Sequence, residues 1–290
     1  MNSVQIWVYA FRPKTLVISI SPVVIGATLA MSQGIFNLML FLFTLLTALA
    51  IQIGTNLAND YFDFIKGADT KERKGFMRVT QAGLVAPTKM KKVMIATFCI
   101  ACCCGSYLIW SGGLPIAILL ALSIALGVIY TGGPFPLAYL GLGELFAFLF
   151  FGPVAVLGTY YLQTGTLSKE AFMIGLSPGA FSMAFLIVNN VRDIDEDRAA
   201  NKKTMAVRFG KTFGKCQYLL TILLSLVPIL FFCPAHPFSL LTLLILLPAA
   251  PLMSMMVRNQ DPRMLNHLFA KTGKLQWLFT LLFCIGWMIS

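Results

Sequence analysis

Nine apolar stretches, each long enough to cross a bilayer, dominate this chain of 290 residues. A spanning helix needs roughly 20 mostly apolar residues. Such stretches lie at about 14–33, 38–58, 92–111, 114–130, 143–162, 171–191, 216–233, 238–257 and 275–290. Hydrophobic residues make up 58% of the chain and charged residues 11%, which is typical of a protein embedded in lipid. The sequence therefore predicts an all-α, multi-pass integral membrane protein with nine transmembrane helices.

Basic residues orient these predicted spans. Of the 22 Lys and Arg residues, all except Lys169 fall in the N-terminal segment, in 66–92, in 192–215 or in 258–274. With nine spans, all four segments lie on one side, which the positive-inside rule makes cytoplasmic. We therefore expect a cytoplasmic N-terminus and an external C-terminus. Topology and contact with lipid headgroups explain most of the +11 net charge, so no nucleic-acid partner is expected.

The loops and the N-terminus indicate one membrane domain over residues 1–290. Residues 1–12 are amphipathic and predict an interfacial helix that is retained, not a cleaved signal. The two longest loops, 64–91 and 194–214, are too short for a soluble domain. Both follow even-numbered spans and begin with acidic residues, which indicates a weak parallel repeat. Inverted repeats with a site at mid-membrane are instead common among transporters.

Acidic residues are rare in this chain and strongly clustered. Eight of the 11 fall in two groups: Asp60, Asp63, Asp69 and Glu72, then Asp193, Asp195, Glu196 and Asp197. Acids at membrane depth cost about 2.5–3.5 kcal/mol on insertion scales and normally mark function. We therefore expect functional roles for four of them, Asp60, Asp63, Asp193 and Asp197. For Asp69, Glu72 and Glu196 we favour solvated loop charges.

The spacing of the polar residues places each group on one helix face. Asn56, Asn59, Asp60 and Asp63 stand at i, i+3, i+4 and i+7 of the second span. The sixth span repeats this arrangement, with Arg192 alongside; its polar residues are Asn189, Asn190, Asp193 and Asp197.

A cavity shared by both groups would bring carboxylates together, and these would repel one another unless a cation neutralised them. Carboxylate and amide oxygens favour hard ions, and Mg²⁺ commonly shares its remaining positions with substrate phosphates. The sequence therefore predicts Mg²⁺ and a phosphorylated substrate.

Residues outside the two clusters complete the predicted site. Five basic residues of the adjoining loops are candidates for binding a diphosphate leaving group: Lys66, Arg78, Lys202, Lys203 and Arg208. Glycines and prolines at 130–143 require the chain to turn at the cytoplasmic face, so Tyr130 and Glu144 are expected at the cavity border. For Glu144, a supporting hydrogen bond and a catalytic role are both open. Some of the 24 Phe residues are candidates for lining an isoprenoid tunnel.

Other metal chemistry is disfavoured. The chain has only two histidines, His236 and His267, both in predicted loops, which argues against a zinc site. Cys99 and Cys102 form a C-x-x-C pattern within an apolar helix, where free Cys generally behaves as a small hydrophobic residue.

At these motifs the chain resembles the UbiA superfamily of intramembrane prenyltransferases. The resemblance runs nearly end to end and rests on AFRPKTL at 10–16, NLANDYFD at 56–63, YTGGP at 130–134 and NNVRD at 189–193. These motifs are most similar to the branch that prenylates 1,4-dihydroxy-2-naphthoate. The first acidic motif departs from the fuller superfamily form, because Gly67 stands where a third acid is found and Asp69 lies just beyond it.

This resemblance implies nine helices around a central cavity open to the cytoplasmic face, in a bacterial inner membrane. It implies Mg²⁺ held by four aspartates, Asp60, Asp63, Asp193 and Asp197, and Asn56, Asn59 and Asn190 are expected to be further metal ligands. The implied partners are a polyprenyl diphosphate and 1,4-dihydroxy-2-naphthoate, joined with loss of carbon dioxide, and Arg12 is expected near the acceptor. Two alternatives stay open: another UbiA branch using 4-hydroxybenzoate, homogentisate or haem, and a cation-coupled transporter.

Overall fold

The computed structural model of the chain describes residues 1–68, 75–258 and 261–290, which form helices and no strand. In chain order the α-helices are α1 (Ser3–Phe11), α2 (Val17–Met31), α3 (Leu38–Ile65), α4 (Pro87–Ile129), α5 (Gly143–Leu149), α6 (Ala155–Thr164), α7 (Lys169–Arg192), α8 (Ile194–Ala199), α9 (Met205–Leu224), α10 (Val227–Phe232), α11 (Leu246–Arg258) and α12 (Pro262–Met288). Short 3-10 helices cover Pro13–Thr15 and Pro237–Ile245, and one π-helical turn, Phe150–Val154, joins α5 to α6.

Seven helical segments within the described ranges are long and apolar enough to cross a membrane. An eighth is added if Ser3–Thr15 and Val17–Met31, bent by 50°, form one span. Large apolar side chains cover the outside of the bundle, as Trp110, Phe231 and Leu247 are 89%, 69% and 75% exposed. Such a surface suits lipid and not water. The protein is thus a multi-pass membrane protein.

The expected count of nine differs from the structure at α4, whose 43 residues include two of the predicted spans. Gly113 leaves helical conformation inside this element, with φ 67° and ψ −155°. A Cβ on Gly105 would overlap the side chain of Leu120, so the segments before and after Gly113 pack against each other. A straight helix of this length would measure about 65 Å, twice the thickness of a bilayer core. Element α4 is therefore a helical hairpin.

Helix α7 is the most buried of the candidate spans, and it packs against α2, α5, α9 and α12. Its approach to the π-helical turn depends on glycine. A Cβ on Gly152 would lie 2.6 Å from the Cα of Gly179, and one on Gly175 would lie 2.5 Å from the Cα of Pro153. Small residues four apart allow such close backbone contact between membrane helices. This contact fixes the start of α5 beside the C-terminal end of α7.

Helices α3 and α7, which carry the acidic groups, end at other residues than the predicted spans do. Helix α3 continues to Ile65 and so includes Asp60 and Asp63 of the first acidic group. Helix α7 instead ends at Arg192, and Asp193 (φ −97°, ψ 13°) caps the short helix α8, which carries Asp197. The second polar face is therefore bent at Asp193 and does not run along one continuous helix.

Candidate active site at the ends of α3 and α7

A chamber of about 300 Å³ lies between α2, α3, α4, α5, α7 and α12. Carboxylates from both acidic groups border it, namely Asp63, Asp193 and Asp197. Cationic side chains border it too, namely Arg12, Arg78, Arg192 and Lys202. The two clusters, which lie 130 residues apart from Asp63 to Asp193, thus meet in one cavity.

Asp63 joins three segments of the chain. Its Oδ2 lies 3.1 Å from a terminal guanidinium nitrogen of Arg78, which belongs to the loop after α3. Its Oδ1 lies 3.2 Å from Lys202 Nζ and accepts a hydrogen bond of 3.2 Å from the hydroxyl of Tyr139. The Asp63 residue is only 1% exposed. A buried carboxylate is stable only when it is paired and hydrogen-bonded, and these contacts supply both.

Asp60 has a different environment from Asp63. Its two carboxylate oxygens accept hydrogen bonds of 3.1 Å from the backbone N–H groups of Val79 and Thr80. Asp60 is buried but lies outside the chamber wall. It fastens the loop that carries Arg78 onto α3. Its predicted place among the metal ligands stays a prediction.

Arg192 forms a bidentate ion pair with Asp193. Its Nε and one terminal nitrogen donate to the two oxygens of Asp193, at 2.6 and 2.7 Å, in the bidentate geometry that guanidinium groups favour. Its other terminal nitrogen donates to Asn266 Oδ1 at 2.7 Å. The ring of Phe76 lies 5.4 Å from Arg192 Cζ and 5.3 Å from Lys14 Nζ, so this ring borders two cations.

The ring of Tyr139 lies between two ammonium groups, with Lys66 Nζ at 4.8 Å and Lys202 Nζ at 5.0 Å from its centroid. Lys66 also donates to the carbonyls of Thr131 and Gly133, at 2.7 and 3.2 Å. Burial lowers the pKa of Lys66, the charge of Asp63 raises it, and the charge of Lys202 lowers it. Lys202 borders the chamber, whereas Lys66 supports the turn beside it.

Two other residues predicted to bind the diphosphate, Lys203 and Arg208, instead hold neighbouring segments together, as Lys66 does. The backbone N–H of Lys203 donates to the carbonyl of Tyr139 at 2.9 Å. Arg208 donates to the carbonyls of Lys203 and Leu140, both at 2.9 Å. Both residues lie outside the chamber wall, so they connect the 139–140 turn to the segment before α9. Of the five basic candidates, the structure brings Arg78 and Lys202 into the chamber.

Tyr130 borders the chamber as predicted, whereas Glu144 is buried outside the chamber wall, beside Gly143. A Cβ on Gly143 would lie 2.8 Å from the Tyr130 hydroxyl. Burial, then the negative charges of Glu144, Asp197 and Asp63, raise the pKa of Tyr130, so its hydroxyl stays a neutral donor. Influence from acids of both clusters is a second sign that they converge here.

Glu144 connects α5 to two other helices. Its Oε1 accepts a hydrogen bond of 2.7 Å from Asn190 Nδ2, and its Oε2 accepts one of 2.5 Å from Gln217 Nε2. Both carboxylate oxygens thus hold amides, and Glu144 is 4% exposed. Of the two roles open for Glu144, this geometry favours the supporting hydrogen bond.

The predicted asparagines border the chamber, and three are tied to neighbouring segments, Asn190 through its hydrogen bond to Glu144. Asn56 Nδ2 donates to the carbonyl of Phe11 at 3.1 Å and to Thr15 Oγ1 at 3.0 Å. Asn59 Oδ1 accepts from Thr131 Oγ1 at 2.9 Å. Asn189 differs from these three, because its buried Oδ1 has no hydrogen-bond partner in the described structure. This oxygen is a candidate ligand for a cation.

The structure describes only some of the other clustered acids. Asp69 and Glu72 fall outside the described residues. Asp195 is exposed, and one of its oxygens lies 4.0 Å from Lys211 Nζ. Within 1–68, 75–258 and 261–290, no three His, Cys, Asp or Glu side chains form a group that could hold a metal by themselves.

Sequence reasoning missed three contacts of the site. Tyr139 and Gln217 bind Asp63 and Glu144 from segments far along the chain, and Phe76 lies between two cations. For Tyr139, its position in the glycine-rich turn beside Tyr130 was a usable signal. No comparable pattern marks Gln217, which stands in an ordinary apolar helix.

Known proteins are similar to this chain over most of its length. Residues 19–280 match the profile of the UbiA prenyltransferase family. A relative from Escherichia coli (strain K12), named 1,4-dihydroxy-2-naphthoate octaprenyltransferase, is 35% identical, and the alignment covers 100% of this chain and 97% of that relative. A Bacillus subtilis (strain 168) protein of the same name is 37% identical over 69% of this chain and 64% of its own length.

Solved structures share the fold at low identity. The apo structure of a UbiA homolog from Aeropyrum pernix K1 superimposes with a TM-score of 0.71 at 14% identity, covering 93% of this chain and 97% of that one. A homolog from Archaeoglobus fulgidus, solved bound to GPP and Mg²⁺, has a TM-score of 0.63 at 13% identity. The superposition covers 97% of this chain and 99% of that one. The profile match over most of the chain and the full-length relatives lead to one assignment: this chain belongs to the UbiA prenyltransferase family.

Proposed function

We propose that this protein transfers a polyprenyl group from a polyprenyl diphosphate to 1,4-dihydroxy-2-naphthoate, with loss of carbon dioxide, in menaquinone biosynthesis. The single observation that carries the transfer chemistry is the shared chamber, in which carboxylates of both acidic groups and several cations border an aromatic cavity. The choice of acceptor is supported by the names of the relatives that align over nearly the whole chain.

The donor set fits Mg²⁺. The residues that would hold it are Asp63, Asp193 and Asp197, together with the amide oxygen of Asn189. Magnesium is typically held by one or two carboxylates plus substrate phosphates, so the lack of an all-protein cluster among the described residues agrees with a shared site. When bound, the ion would supply Lewis acidity at the leaving diphosphate oxygens. Homologs of this fold have been solved with Mg²⁺ and prenyl diphosphates.

The cationic side chains would stabilise the leaving group. Arg78, Arg192 and Lys202 border the chamber and are positioned to contact diphosphate oxygens as negative charge develops there. Cleavage of the C1–O bond then leaves an allylic cation, and the surrounding Phe rings offer it their negative faces. The apolar walls exclude water, which would otherwise capture the cation.

The acceptor ring then attacks the cation. A carbon–carbon bond forms between C1 and the electron-rich hydroquinone ring, and the carboxylate departs as carbon dioxide, its bonding electrons restoring the aromatic ring. The product is a demethylmenaquinol. Asp60 enters this proposal through the loop it holds, because the Val79–Thr80 backbone that it binds follows Arg78 directly.

We infer the membrane arrangement from the same features. If the α4 hairpin counts as two crossings and the bent N-terminal pair as one, the chain crosses nine times as a single domain over 1–290. The basic loops then lie with the chamber mouth at the cytoplasmic face, with the N-terminus inside and the C-terminus outside. A bacterial inner membrane is the expected location.

Two rival functions make different predictions. An enzyme of another UbiA branch would prenylate 4-hydroxybenzoate, homogentisate or haem, and deleting its gene would remove a different quinone or haem product. A cation-coupled transporter would move solute across proteoliposomes without releasing diphosphate. Its helices would carry acids at mid-membrane, whereas the chamber acids here lie at one end of α3 and α7.

The decisive experiment is a defined reaction. Purified protein is incubated with dihydroxynaphthoate, a series of polyprenyl diphosphates and Mg²⁺, and the products are identified by mass. We expect a decarboxylated prenyl naphthoquinol and one molecule of diphosphate per transfer, both abolished by a chelator. Formation of product only with another hydroxyarene would exclude the naphthoate assignment, and a lack of transfer with every acceptor would exclude the enzymatic one.

A further inference from the structure

The chamber has two chemically different walls. One is aromatic, built by α5, the π-helical turn, α7 and α12, and its rings are Phe146, Phe150, Phe151, Phe185 and Phe269. The other is formed by α2 and α3 and presents polar groups, among them Ser19 and Gln52. An isoprenoid chain offers no hydrogen bonds, so the aromatic wall matches it and the polar wall does not.

Gln52 continues the polar face of α3 inward from the acidic end. Gln52, Asn56, Asn59 and Asp63 stand at i, i+4, i+7 and i+11, and all four border the chamber. Eleven residues of α-helix place Gln52 roughly 16 Å deeper than Asp63. At that depth Gln52 lies beyond the acids and cations that would bind the diphosphate.

The orientation of the Gln52 amide is fixed by Thr15. The Thr15 hydroxyl donates its one proton to the carbonyl of Arg12 at 2.9 Å, so towards other groups it acts only as an acceptor. It accepts from Asn56 Nδ2 at 3.0 Å and from Gln52 Nε2 at 3.4 Å. The Gln52 side chain must therefore direct its nitrogen towards Thr15, which leaves Oε1 as a free hydrogen-bond acceptor.

One atom of Gln52 and one atom of Ser19 lack hydrogen-bond partners in the described structure. Gln52 is 4% exposed and Ser19 is 3% exposed, yet Gln52 Oε1 and Ser19 Oγ make no hydrogen bond. Buried polar atoms in folded proteins nearly always have a partner, because leaving them without one is costly. Two such atoms in one cavity wall point to a ligand that supplies the missing partners.

We propose that Gln52 and Ser19 recognise the aromatic acceptor, with Gln52 Oε1 accepting a hydrogen bond from a phenolic hydroxyl and Ser19 Oγ bonding a second polar substituent. This inference rests on the proposed function, which supplies a dihydroxyarene acid as the acceptor. Gln52 and Ser19 are specificity-determining residues in this arrangement. They orient the ring against the prenyl group and leave the chemistry to the acidic end.

The test compares three variants: Gln52→Leu, Ser19→Ala and the control Gln276→Leu. Gln276 of α12 is also fully buried with both amide atoms unpartnered in the described structure, but it lies outside the chamber wall. Each substrate is varied in turn. Loss of one neutral hydrogen bond predicts an increase of about tenfold in KM for the acceptor in Gln52→Leu and Ser19→Ala. We expect KM for the polyprenyl diphosphate to be unchanged in all three variants.

A second measurement uses the two monomethyl ethers of dihydroxynaphthoate. A site that bonds a substrate hydroxyl rejects an analogue without it. Wild-type enzyme should therefore discriminate against one ether, and Gln52→Leu should lose that discrimination while Gln276→Leu retains it. Equal discrimination between the ethers in wild type and Gln52→Leu would overturn the proposal. Equal increases in KM for both substrates in Gln52→Leu and Gln276→Leu would overturn it too.

Failure of the proposed function gives a different result. In that case wild-type enzyme prenylates another hydroxyarene in place of dihydroxynaphthoate. The same variants and the methyl ether of that arene then decide the role of Gln52 separately. A selective loss of affinity for that arene in Gln52→Leu supports recognition by this wall, and an unselective loss excludes it.

Discussion

Asp63 Oδ1 lies 3.2 Å from Lys202 Nζ. This contact joins the end of α3, which carries the first acidic group, to the loop that follows the second acidic group. This pair connects the two halves of the predicted repeat through one buried contact. It also places a cation of the second half beside the carboxylate of the first, where a diphosphate and its metal ion would have to bind.

Removing a chamber carboxylate should abolish transfer without unfolding the protein. We expect Asp63→Ala, Asp193→Ala and Asp197→Ala each to lose nearly all turnover, because each residue borders the chamber that we propose binds the diphosphate. Product formation is measured in detergent alongside membrane yield. Asp195→Ala is the matched control, since its side chain is 56% exposed in the same acidic group. Wild-type turnover in a chamber variant would remove that residue from the site.

Asp60 should show a combined effect on stability and activity. Asp60→Ala removes a carboxylate that accepts two backbone hydrogen bonds, and bonds to charged groups contribute about 1.5–3 kcal/mol each. We expect a lower thermal unfolding temperature together with near loss of transfer, because the loop carrying Arg78 is released. Asp63→Ala supplies the comparison. An Asp60→Ala protein with wild-type unfolding temperature would show that this loop does not depend on Asp60.

Glu144 should act through the amides it holds. Glu144→Ala leaves Asn190 and Gln217 without their acceptor, which costs about 1–3 kcal/mol of unfolding free energy for each buried group left unsatisfied. Glu144→Gln keeps an acceptor oxygen and should retain more stability. Thermal unfolding and turnover of both variants are compared. Full stability with no turnover in Glu144→Gln would instead indicate a direct catalytic role.

Arg192 should not tolerate lysine. The guanidinium fork binds both oxygens of Asp193 and also Asn266, which an ammonium group cannot do at once. We expect Arg192→Lys to lower kcat/KM for the polyprenyl diphosphate by roughly tenfold or more, the equivalent of a charge-assisted hydrogen bond. Arg198→Lys, on the exposed end of α8, is the control. Equal kcat/KM in both variants would contradict this role.

Tyr130 should make stability fall above pH 10. Its folded pKa is raised above the ordinary value of 10.0 by burial and by Glu144, Asp197 and Asp63. Below pH 10 the phenol is protonated in both states, so its contribution is intact. Above pH 10 the unfolded chain releases this proton first, so the free energy of unfolding decreases. Tyr130→Phe should show a shallower decrease, measured by denaturant unfolding from pH 9 to pH 11; identical slopes would contradict this.

The spacing of the first cluster predicted which helix face borders the chamber, but it did not predict that Asp60 lies outside that face. Asn56, Asn59 and Asp63 border the chamber as expected, and Gln52 extends the same face. The chamber-facing positions of α3 also include Ala48, Ile51 and Thr55, and at 3.6 residues per turn Asp60 lies roughly 100° from the centre of the whole set. A heptad pattern groups it with its neighbours, yet whether it faces the cavity or the loop depends on packing that the sequence does not display.

Contacts between segments that are far apart in the chain also could not be predicted from local sequence patterns. The bend at Asp193, the α4 hairpin and the hydrogen bond from Gln217 to Glu144 depend on how helices meet in three dimensions. The positions of the charged residues in the sequence predicted the cationic side chains of the chamber better than they predicted these distant contacts. Arg192 directly precedes Asp193, and Arg78 and Lys202 follow their acidic groups closely in the chain.

The backbone contact of Gly152 with Gly179 has a consequence for the size of the chamber. Because no side chains separate α7 from the π-helical turn, the spacing of these elements is set by main-chain atoms. Exchanging Phe150 or Phe151 for smaller residues would lengthen or widen the aromatic side of the chamber while this frame, and the diphosphate end attached to it, stayed in place. Under the proposed function, single substitutions at these positions would change the space for the prenyl chain and leave the acidic end of the chamber unchanged.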